Sequence, residues 1–358
     1  MSDLKETIKE VTAKLIGVLS PRNKDVIARR FGLKTGQKET LESIGQSYGI
    51  TRERVRQIEE VSLKQLRAAL ASGAAAKVRP LVDLAQNVLD QTNGVLREDE
   101  FLSRFFNSPL AGKSINGRSR NDTQTMLLFL LNLDGRLQRS PEDDDFHTFL
   151  SLSHQHANTF RESIRGLVKA LSKNAAPVQE TELADFSKKS GAASRYTAPA
   201  VLASAMAVSK EIGKNIFGHV GLTNWPEIRP RGVRDKAYLV LKKIGQPQHF
   251  RDITRLINEM FPDRRANVQT VHNELIKDAR FVLVGRGLYG LSERGYKAGT
   301  VKDVLIDLLK HSERPLKRDE IISQVLNHRL VKENTIVLNL QDSRVFNKTE
   351  NGYTLREA

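Results

Sequence analysis

Apolar residues at the start of the chain recur at the spacing of short amphipathic helices. In LSPRNKDVIARRFGL they fall every three or four positions and form one helix face that ends at Phe31. Ser20 followed by Pro21 is typical of a helix start, because serine caps the first turn and proline fits within it. After a polar loop, Thr40 and LESIGQSY predict a second helix. Gly49 should end it, since glycine adopts the left-handed conformation at little cost.

The third block, ITRERVRQIEEVSLKQLR, predicts a longer helix capped by Thr51. A short helix, a glycine turn and a capped longer helix together indicate a helix-turn-helix. The apolar face of the third helix should hold Val55, Ile58, Val61 or Ser62, and Leu66.

The opposite face of this third helix carries side chains suited to reading DNA. Arginine pairs with guanine, glutamine with adenine, and glutamate accepts a hydrogen bond from cytosine. Arg54 is turned more to the side and suits a phosphate. The alternative is a solvated surface helix, in which Glu59 and Glu60 form intrahelical pairs with the arginines. The candidate base-reading residues are Arg52, Glu53, Arg56 and Gln57.

A longer pattern recurs in the second half of the chain. VRDKAYLVLKKIGQPQHFRDITRLINEMFP and VKDVLIDLLKHSERPLKRDEIISQVLNHR each read as an apolar helix, a turn with proline and a second helix. Each continues with a third helix and a glycine-containing hairpin, which is typical of a winged helix. Two weaker copies precede them.

The predicted fold class is therefore mainly α with small β wings, an α+β chain. An N-terminal helix-turn-helix is followed by tandem winged-helix units. The predicted domains are a helix-turn-helix at 1–71, a linker at 72–80 (SGAAAKVRP), and winged helices at 81–150, 151–228, 229–296 and 297–358.

Charge favours a polyanionic partner. The 358 residues include 57 Lys and Arg against 42 Asp and Glu, a formal net charge of +15. Nucleic acid is the first candidate partner and an anionic membrane surface the second. Residues 1–76 and 229–300 hold nearly all of the excess. No run of about 18 apolar residues and no apolar N-terminal stretch is present, so we predict a cytoplasmic, nucleoid-associated protein without a membrane partner.

Catalytic chemistry is not indicated. The chain has no cysteine, which excludes disulfides, thiolate catalysis and cysteine-based zinc fingers. His249 and His272 lack ligand partners at suitable spacing, and the acidic run PEDDDF at 141–146 reads as a wing tip or a solvated loop rather than as a cation site. GRGLYG is not followed by the GK[ST] of a phosphate-binding loop. We therefore predict no enzyme activity, no metal site and no cofactor.

The segment LSPRNKDVIARRFGL…TLESIGQSYGITRERVRQIEEVSLKQLR closely resembles region 4 of the primary bacterial sigma factors over about fifty residues. The resemblance implies recognition of the −35 promoter element, with the four candidate base-reading residues in the duplex. The helix around Pro21 to Phe31 would face the flap of the RNA polymerase β subunit. Val61 stands where the family usually has a lysine, so one backbone contact is in question. The implied contacts to the DNA backbone are Arg22, Arg30, Thr40, Leu41, Thr51 and Arg54.

Aromatic residues make up only 6% of the chain. Complete sigma factors carry, upstream of region 4, a region whose aromatics stack on the melted −10 strand. Because the region 4-like segment begins within the first twenty residues, we expect that this protein does not melt promoters by itself.

The unit at 230–296 resembles the winged-helix family called HARE-HTH, which includes the RNA polymerase delta subunit. DKAYLVLKKIGQPQHFRDITRLI and the TVHNELIKDARFVLVGRGLYGL run carry this resemblance, which implies association with nucleic acid or polymerase. Arg280 and Arg286 fall in its predicted wing. The alternative is a basic surface that docks on an acidic protein. A second candidate nucleic-acid surface comprises Arg264, Arg265, Asn267, Gln269, His272 and Arg286.

The leading hypothesis is a non-catalytic, sequence-specific DNA-binding transcription factor. It would bind −35-type promoter DNA and RNA polymerase core and modulate initiation. Two alternatives stay open: a polymerase-bound competitor of the sigma factor or delta-like accessory subunit, and an architectural nucleoid protein. The +1 charge of residues 301–358 favours protein contacts for the last unit.

Overall fold

Helices form most of the chain, and short antiparallel strands form small sheets, which confirms the predicted α+β class. The computed structural model describes residues 4–108, 120–296, 299–312 and 314–356. The chain divides into two compact units. The first comprises Met1–Gly213 with His219–Thr223, and the second comprises Lys214–Gly218 with Asn224–Ala358.

Unit 1 begins with a helical module that contains the predicted helix-turn-helix. The predicted caps are confirmed, because the hydroxyls of Ser20, Thr40 and Thr51 each accept a hydrogen bond from the backbone N–H three residues on. Gly49 ends the second predicted helix with a φ of 64°. The helices of this module are α1 Leu4–Ile16, α2 Pro21–Arg30, α3 Leu41–Tyr48 and α4 Arg52–Ala69.

The predicted linker at 72–80 is corrected by the structure, since this stretch is helical. A π-helical turn at Leu70–Ala74 follows α4 directly, and α5 spans Ala75–Asp90. Alanine-rich sequence favours helix, and Val78 and Leu81 are buried at 1% and 2% exposure. Burial of these side chains explains why the stretch is packed rather than extended.

A first repeat follows α4. Its three strands form an antiparallel sheet in the order β1-β3-β2, with Val95 and Gln138 both opposite Ser151 on the central strand. The elements of this repeat are α5, β1 Val95–Arg97, α6 Glu98–Phe106, α7 Arg120–Asp134, β2 Gln138–Ser140 and β3 Phe149–Ser151.

A second repeat has the same order of elements. Its sheet again has the last strand in the middle, β4-β6-β5. The elements are α8 His154–Asn174, β4 Val178–Gln179, α9 Leu183–Lys189, α10 Pro199–Val208, β5 Ile212–Lys214 and β6 His219–Leu222.

Unit 2 contains a third and a fourth repeat. The third repeat has a sheet in the order β7-β9-β8, and the fourth has a β10-β11 hairpin with a single bridge from Leu316 to Tyr353. The third repeat comprises α11 Val233–Ile244, β7 Gln248–His249, α12 Phe250–Met260, α13 Val268–Lys277, β8 Phe281–Gly285 and β9 Leu288–Leu291. The fourth comprises α14 Val301–Lys310, α15 Arg318–His328, α16 Glu333–Leu340, β10 Phe346–Thr349 and β11 Gly352–Leu355.

The helix-turn-helix module and the first repeat share one hydrophobic core. Buried side chains from α1, α2 and α4 pack with those of α5, α6 and α7 in a continuous cluster. At its edge, Thr125 of α7 donates a hydrogen bond to the Gly32 carbonyl at 3.0 Å. Lys9 of α1 pairs with Asp122 of α7 at 3.1 Å. The module is therefore fixed to the first repeat through apolar and polar contacts.

The third helices of the first two repeats serve packing. α7 lies against α1 and α4, and α10 lies against β1. Phe129 and Leu130 of α7 and Leu202 and Val208 of α10 are at most 2% exposed. Within the described part of unit 1, α4 therefore differs from α7 and α10. It follows the turn of the helix-turn-helix and presents a charged face to solvent.

Candidate nucleic-acid interface

The turn between α3 and α4 is tight. The Ile50 N–H donates to the Gly45 carbonyl at 3.0 Å, directly after the left-handed residue Gly49. A Cβ at Gly45 would come within 2.7 Å of the Ile50 carbonyl oxygen, so this position requires glycine. The close approach fixes the angle at which α4 leaves the turn.

A three-residue core sets which side of α4 faces outward. Val26 of α2, Ile44 of α3 and Val55 of α4 are completely buried against one another. Further along α4, Ser62 is buried while Val61 is 53% exposed, which resolves the alternative left open by the sequence. The face opposite this core is exposed and carries Arg52, Glu53, Arg54, Arg56 and Gln57.

Arg56 lies within a cluster of carboxylates on the exposed face. Its Nη2 is 2.8 Å from Glu53 Oε1, and its Nη1 is 3.2 Å from Glu60 Oε2. The hydrogen bonds that Arg56 donates to Glu53 raise the pKa of Arg56 and lower the pKa of Glu53. Because more than half of each side chain is exposed, solvent screens these pairs and they are weak. Arg56 can exchange them for a base edge.

The neighbouring side chains are arranged for further contacts. Arg54 donates from Nη1 to Gln57 Oε1 at 3.0 Å, and a hydrogen bond from Gln57 helps to lower the pKa of Glu53. Arg52 forms no ion pair with any acidic side chain that the structure describes. The four candidate base-reading residues therefore lie together on the first two turns of α4.

The side chains predicted to contact the DNA backbone differ in how freely they can reach a phosphate. Arg22 is exposed, 5.3 Å from the centre of the Tyr48 ring. Arg30 is half-buried, and its Nε and Nη1 already bind Glu59 and the Glu39 carbonyl. Arg30 is thus held within the protein and has little freedom to reach a phosphate.

The remaining candidate backbone contacts lie at the starts of α3 and α4. Thr40 and Thr51 use a hydroxyl lone pair for capping and keep the hydroxyl proton for another acceptor. Leu41 is half-buried, and it belongs to the first turn of α3, whose backbone N–H groups have no partner within the helix. Such a turn favours a phosphate.

A bidentate pair between α2 and the following loop was not foreseen from the sequence. Arg29 donates from Nε and Nη2 to the two oxygens of Glu39 at 2.9 and 2.7 Å. Ser43 of α3 also donates to Glu39, so the pair joins α2 to α3. The hydrogen bond with Arg29 lowers the pKa of Glu39. No local spacing rule predicts a pair between residues ten positions apart with a loop between them.

The helix predicted to face the polymerase flap is partly covered. Val26, Ile27 and Ala28 are buried, and the Phe31 ring packs on Phe129 of α7. At the start of α2, Pro21 and Arg22 remain exposed.

The second candidate surface lies on the third repeat. Arg264, Arg265 and Arg286 are exposed, and Asn267 caps α13 by accepting from the Gln269 N–H at 2.8 Å. His272 is half-buried and stacks on Phe250 with ring centres 4.4 Å apart. Its ring therefore serves packing between α12 and α13, whereas Gln269 is exposed.

Arg280, predicted in the wing, has a different environment. It pairs with Asp278 at 2.6 Å and with Asp235 at 3.1 Å. The hydrogen bonds that Arg280 donates to Asp278 raise the pKa of Arg280. Arg280 thus links α11 to the start of β8 and is occupied by its own carboxylates.

The acidic run at 141–146 is more ordered than a solvated loop. Asp143 pairs with Arg161 at 2.5 Å and Asp145 with Arg165 at 2.9 Å, both arginines being on α8. Among the described residues no group of three or more His, Asp or Glu side chains is placed to hold a metal ion. No described helix has the length and apolar composition to cross a bilayer.

Comparison with known proteins gives a match to the N-terminal module. Residues 15–68 match the family Sigma-70, region 4. The RNA polymerase sigma factor SigA of Nostoc sp. is 48% identical over 63 residues, which are 18% of this chain and 16% of that protein. The SigA protein of Clostridium acetobutylicum is 45% identical over 60 residues, 17% of this chain and 16% of its own length.

The chain therefore spans about a sixth of the curated relatives that it matches. The matched segment contains α2, α3 and nearly all of α4, and it ends before α5 and α7. The likeness supports a DNA-binding helix-turn-helix of the sigma factor type at the N-terminus.

Proposed function

We propose that this protein is a sequence-specific DNA-binding transcription factor that places α4 in the major groove of −35-type promoter DNA. The observation that carries the proposal is the exposure of the first two turns of α4, directly after a tight helix-turn-helix turn. Arg52 and Arg56 would read guanine, Gln57 adenine and Glu53 cytosine.

Contacts to the DNA backbone would surround this helix. Arg22 and Arg54 are exposed cations that would bind phosphates, and the N-terminal turn of α3 at Thr40 and Leu41 would offer backbone N–H groups. Thr51 would add its hydroxyl at the start of α4. Because Arg30 is held by Glu59, we propose only a minor role for it.

Electrostatics support exchange of ion pairs on binding. Arg56 leaves two exposed carboxylates when it contacts a base, and this exchange costs little because exposed pairs contribute about 0–1 kcal/mol. Glu60 would then lie near the DNA with no compensating cation. Its negative charge would limit binding to sequences that supply a good partner for Arg56.

We further propose that the protein contacts RNA polymerase and modulates initiation without melting DNA. The coverage of Phe31 by Phe129 leaves little of the inner face of α2 for a partner. This argues against the alternative of a competitor that acts mainly by occupying the flap. Contact would use the exposed start of α2 at Pro21 and Arg22.

For the rest of the chain we propose four tandem winged helices, with the third of the HARE-HTH type and a nucleic-acid-binding surface of its own. The recurring element order and the position of the last strand in the centre of each three-stranded sheet support this. We propose no catalytic role, in keeping with the absence of a nucleophile, base and acid set in the sequence.

Footprinting on promoter DNA, with and without core polymerase, tests the function. We expect protection centred on a TTGACA-like hexamer and at least tenfold weaker binding to a scrambled hexamer of equal length. Equal binding to both duplexes would reject sequence-specific recognition and favour the architectural alternative. Binding to core polymerase without any footprint would favour the sigma competitor.

A further inference from the structure

The outward face of α13 has a chemistry different from that of α4. Val271 and Leu275 point into the core of the third repeat. The opposite side is exposed and holds Gln269, Asn273 and Ile276, the last at 63% exposure. Val268, at the edge of this face, is 40% exposed. An amide and aliphatic face of this kind contains no arginine.

The two amides on this face are already aligned. Gln269 donates from Nε2 to Asn273 Oδ1 at 3.1 Å. This bond leaves the Gln269 Oε1 acceptor and the Asn273 N–H donors available to a partner. Asn267 holds the first turn by capping it. The stack of His272 on Phe250 fixes the helix from behind.

Free cations precede and follow this neutral face along the chain. Arg264 and Arg265 precede α13, Lys277 ends it, and Arg286 lies in the turn between β8 and β9. All four are exposed, and none forms an ion pair with an acidic side chain of the described ranges. By contrast, Arg255 of α12 is paired with Asp252 and Glu259. A neutral stripe flanked by unpaired cations complements a groove flanked by phosphates.

We propose that α13 binds duplex DNA at A·T base pairs and recognises the thymine methyl group through Ile276. Gln and Asn amides form paired hydrogen bonds with adenine, and aliphatic side chains contact the thymine methyl. Guanine is read mainly by arginine or lysine, and the centre of this face has neither. The inference deepens the proposed nucleic-acid surface of the third repeat and rests on it, but it is independent of what α4 reads.

An acidic protein is the other class of ligand that a basic surface could bind. The unpaired cations and the alternation of amide and aliphatic groups favour DNA, because an acidic protein surface requires no adenine-matching amides. The two classes are separated by the same binding experiment.

The test uses the full chain with Arg52→Ala and Arg56→Ala, which removes base reading by α4. Binding is measured by fluorescence anisotropy on three duplexes of equal length: an A·T-rich one, the same sequence with deoxyuridine in place of thymidine, and a G·C-rich one. We expect the A·T-rich duplex to bind best. Loss of the methyl should weaken binding about fourfold for each thymine contacted, from the burial of one methyl-sized group.

Variants then assign the effect to residues. Ile276→Ala should make the thymidine and deoxyuridine duplexes equivalent, while Asn273→Ala should reduce the preference for A·T over G·C. Leu338→Ala is the matched control, since Leu338 is also exposed, at 66%, on α16 of the fourth repeat, and this change should leave all three affinities unaltered. All three side chains are exposed, so the substitutions should preserve the fold.

Equal affinity for thymidine and deoxyuridine duplexes would overturn the recognition of the methyl group. Failure of all three duplexes to bind, together with retention of an acidic polypeptide such as polyglutamate, would overturn DNA as the ligand. Failure of −35 recognition by α4 would appear in a separate measurement. The unaltered chain would then bind the TTGACA-like hexamer and the scrambled hexamer with equal affinity.

Discussion

The rings of Phe31 and Phe129 lie with their centres 4.9 Å apart and tilted by 53°. Phe31 follows α2 in the segment that matches sigma region 4, and Phe129 lies on α7, outside that segment. The pair therefore couples a DNA-binding module to the repeat that follows it. Because the two share a core, the helix-turn-helix module and the first repeat should unfold together rather than separately.

The first prediction concerns this pair. Phe129 is 2% exposed, so Phe129→Ala should lower the free energy of unfolding by about 3–5 kcal/mol. Phe31→Ala should cost less, because Phe31 is half-buried. A double-mutant cycle by urea denaturation should give a coupling energy of about 0.5–1.5 kcal/mol. Strict additivity would mean that the ring contact contributes nothing of its own.

The second prediction separates base contacts from phosphate contacts on α4. Arg56→Ala should reduce discrimination between the −35-type hexamer and a scrambled one by about 1–3 kcal/mol. Arg54→Ala should weaken binding to both sequences evenly and lower the salt slope by about 1. Affinities measured across a series of salt concentrations distinguish the two.

Lys64→Ala provides a control, since Lys64 is exposed further along the same helix. It should affect sequence discrimination less than Arg56→Ala does. If Arg56→Ala weakens both hexamers equally, the assignment of Arg56 as a base-reading residue is incorrect.

The third prediction starts from Val61, which is 53% exposed beside the reading face. Lysine here would add a cation near the DNA backbone, so Val61→Lys should raise affinity for all duplexes. The slope of log affinity against log salt should steepen by about 0.9. Val61→Gln, which adds polarity without charge, should leave the slope unchanged. An unchanged slope with lysine would show that position 61 lies away from the duplex.

The fourth prediction concerns the stability of the fold at low pH. The hydrogen bond from Arg29 lowers the pKa of Glu39 from its ordinary value of 4.5. A lowered carboxyl pKa contributes stability that is present above pH 4.5 and is lost as pH falls through the lowered value. Urea midpoints measured from pH 7 down to pH 3 should therefore fall more steeply for the unaltered chain than for Glu39→Gln. Parallel pH profiles would contradict a stabilising role for the pair.

The local helices could be predicted from the sequence because their signals are local. The caps at Ser20, Thr40 and Thr51 and the glycine at Gly49 depend on a few adjacent residues, and the structure has them all. The choice between Val61 and Ser62 was open because both are compatible with one helical stripe. Packing of α4 on α1 and α7 decided it in favour of the smaller side chain.

Long-range contacts set the limits of the sequence analysis. The stretch SGAAAKVRP resembles a linker in composition, but its helical conformation depends on where Val78 and Leu81 are buried. Arg280 resembles a free wing cation until Asp235, 45 residues earlier, is placed beside it. The coverage of Phe31 by α7 likewise depends on a residue about a hundred positions away. None of these follows from periodicity or spacing.

The π-helical turn at Leu70–Ala74 makes α4 continue directly into α5. A flexible tether would absorb any torsion that docking imposes on α4, whereas a continuous helical backbone transmits it. Binding of α4 to the duplex should therefore strain α5, the first helix of the first repeat. The rate at which α5 amides exchange hydrogen should then differ between the free and the promoter-bound protein.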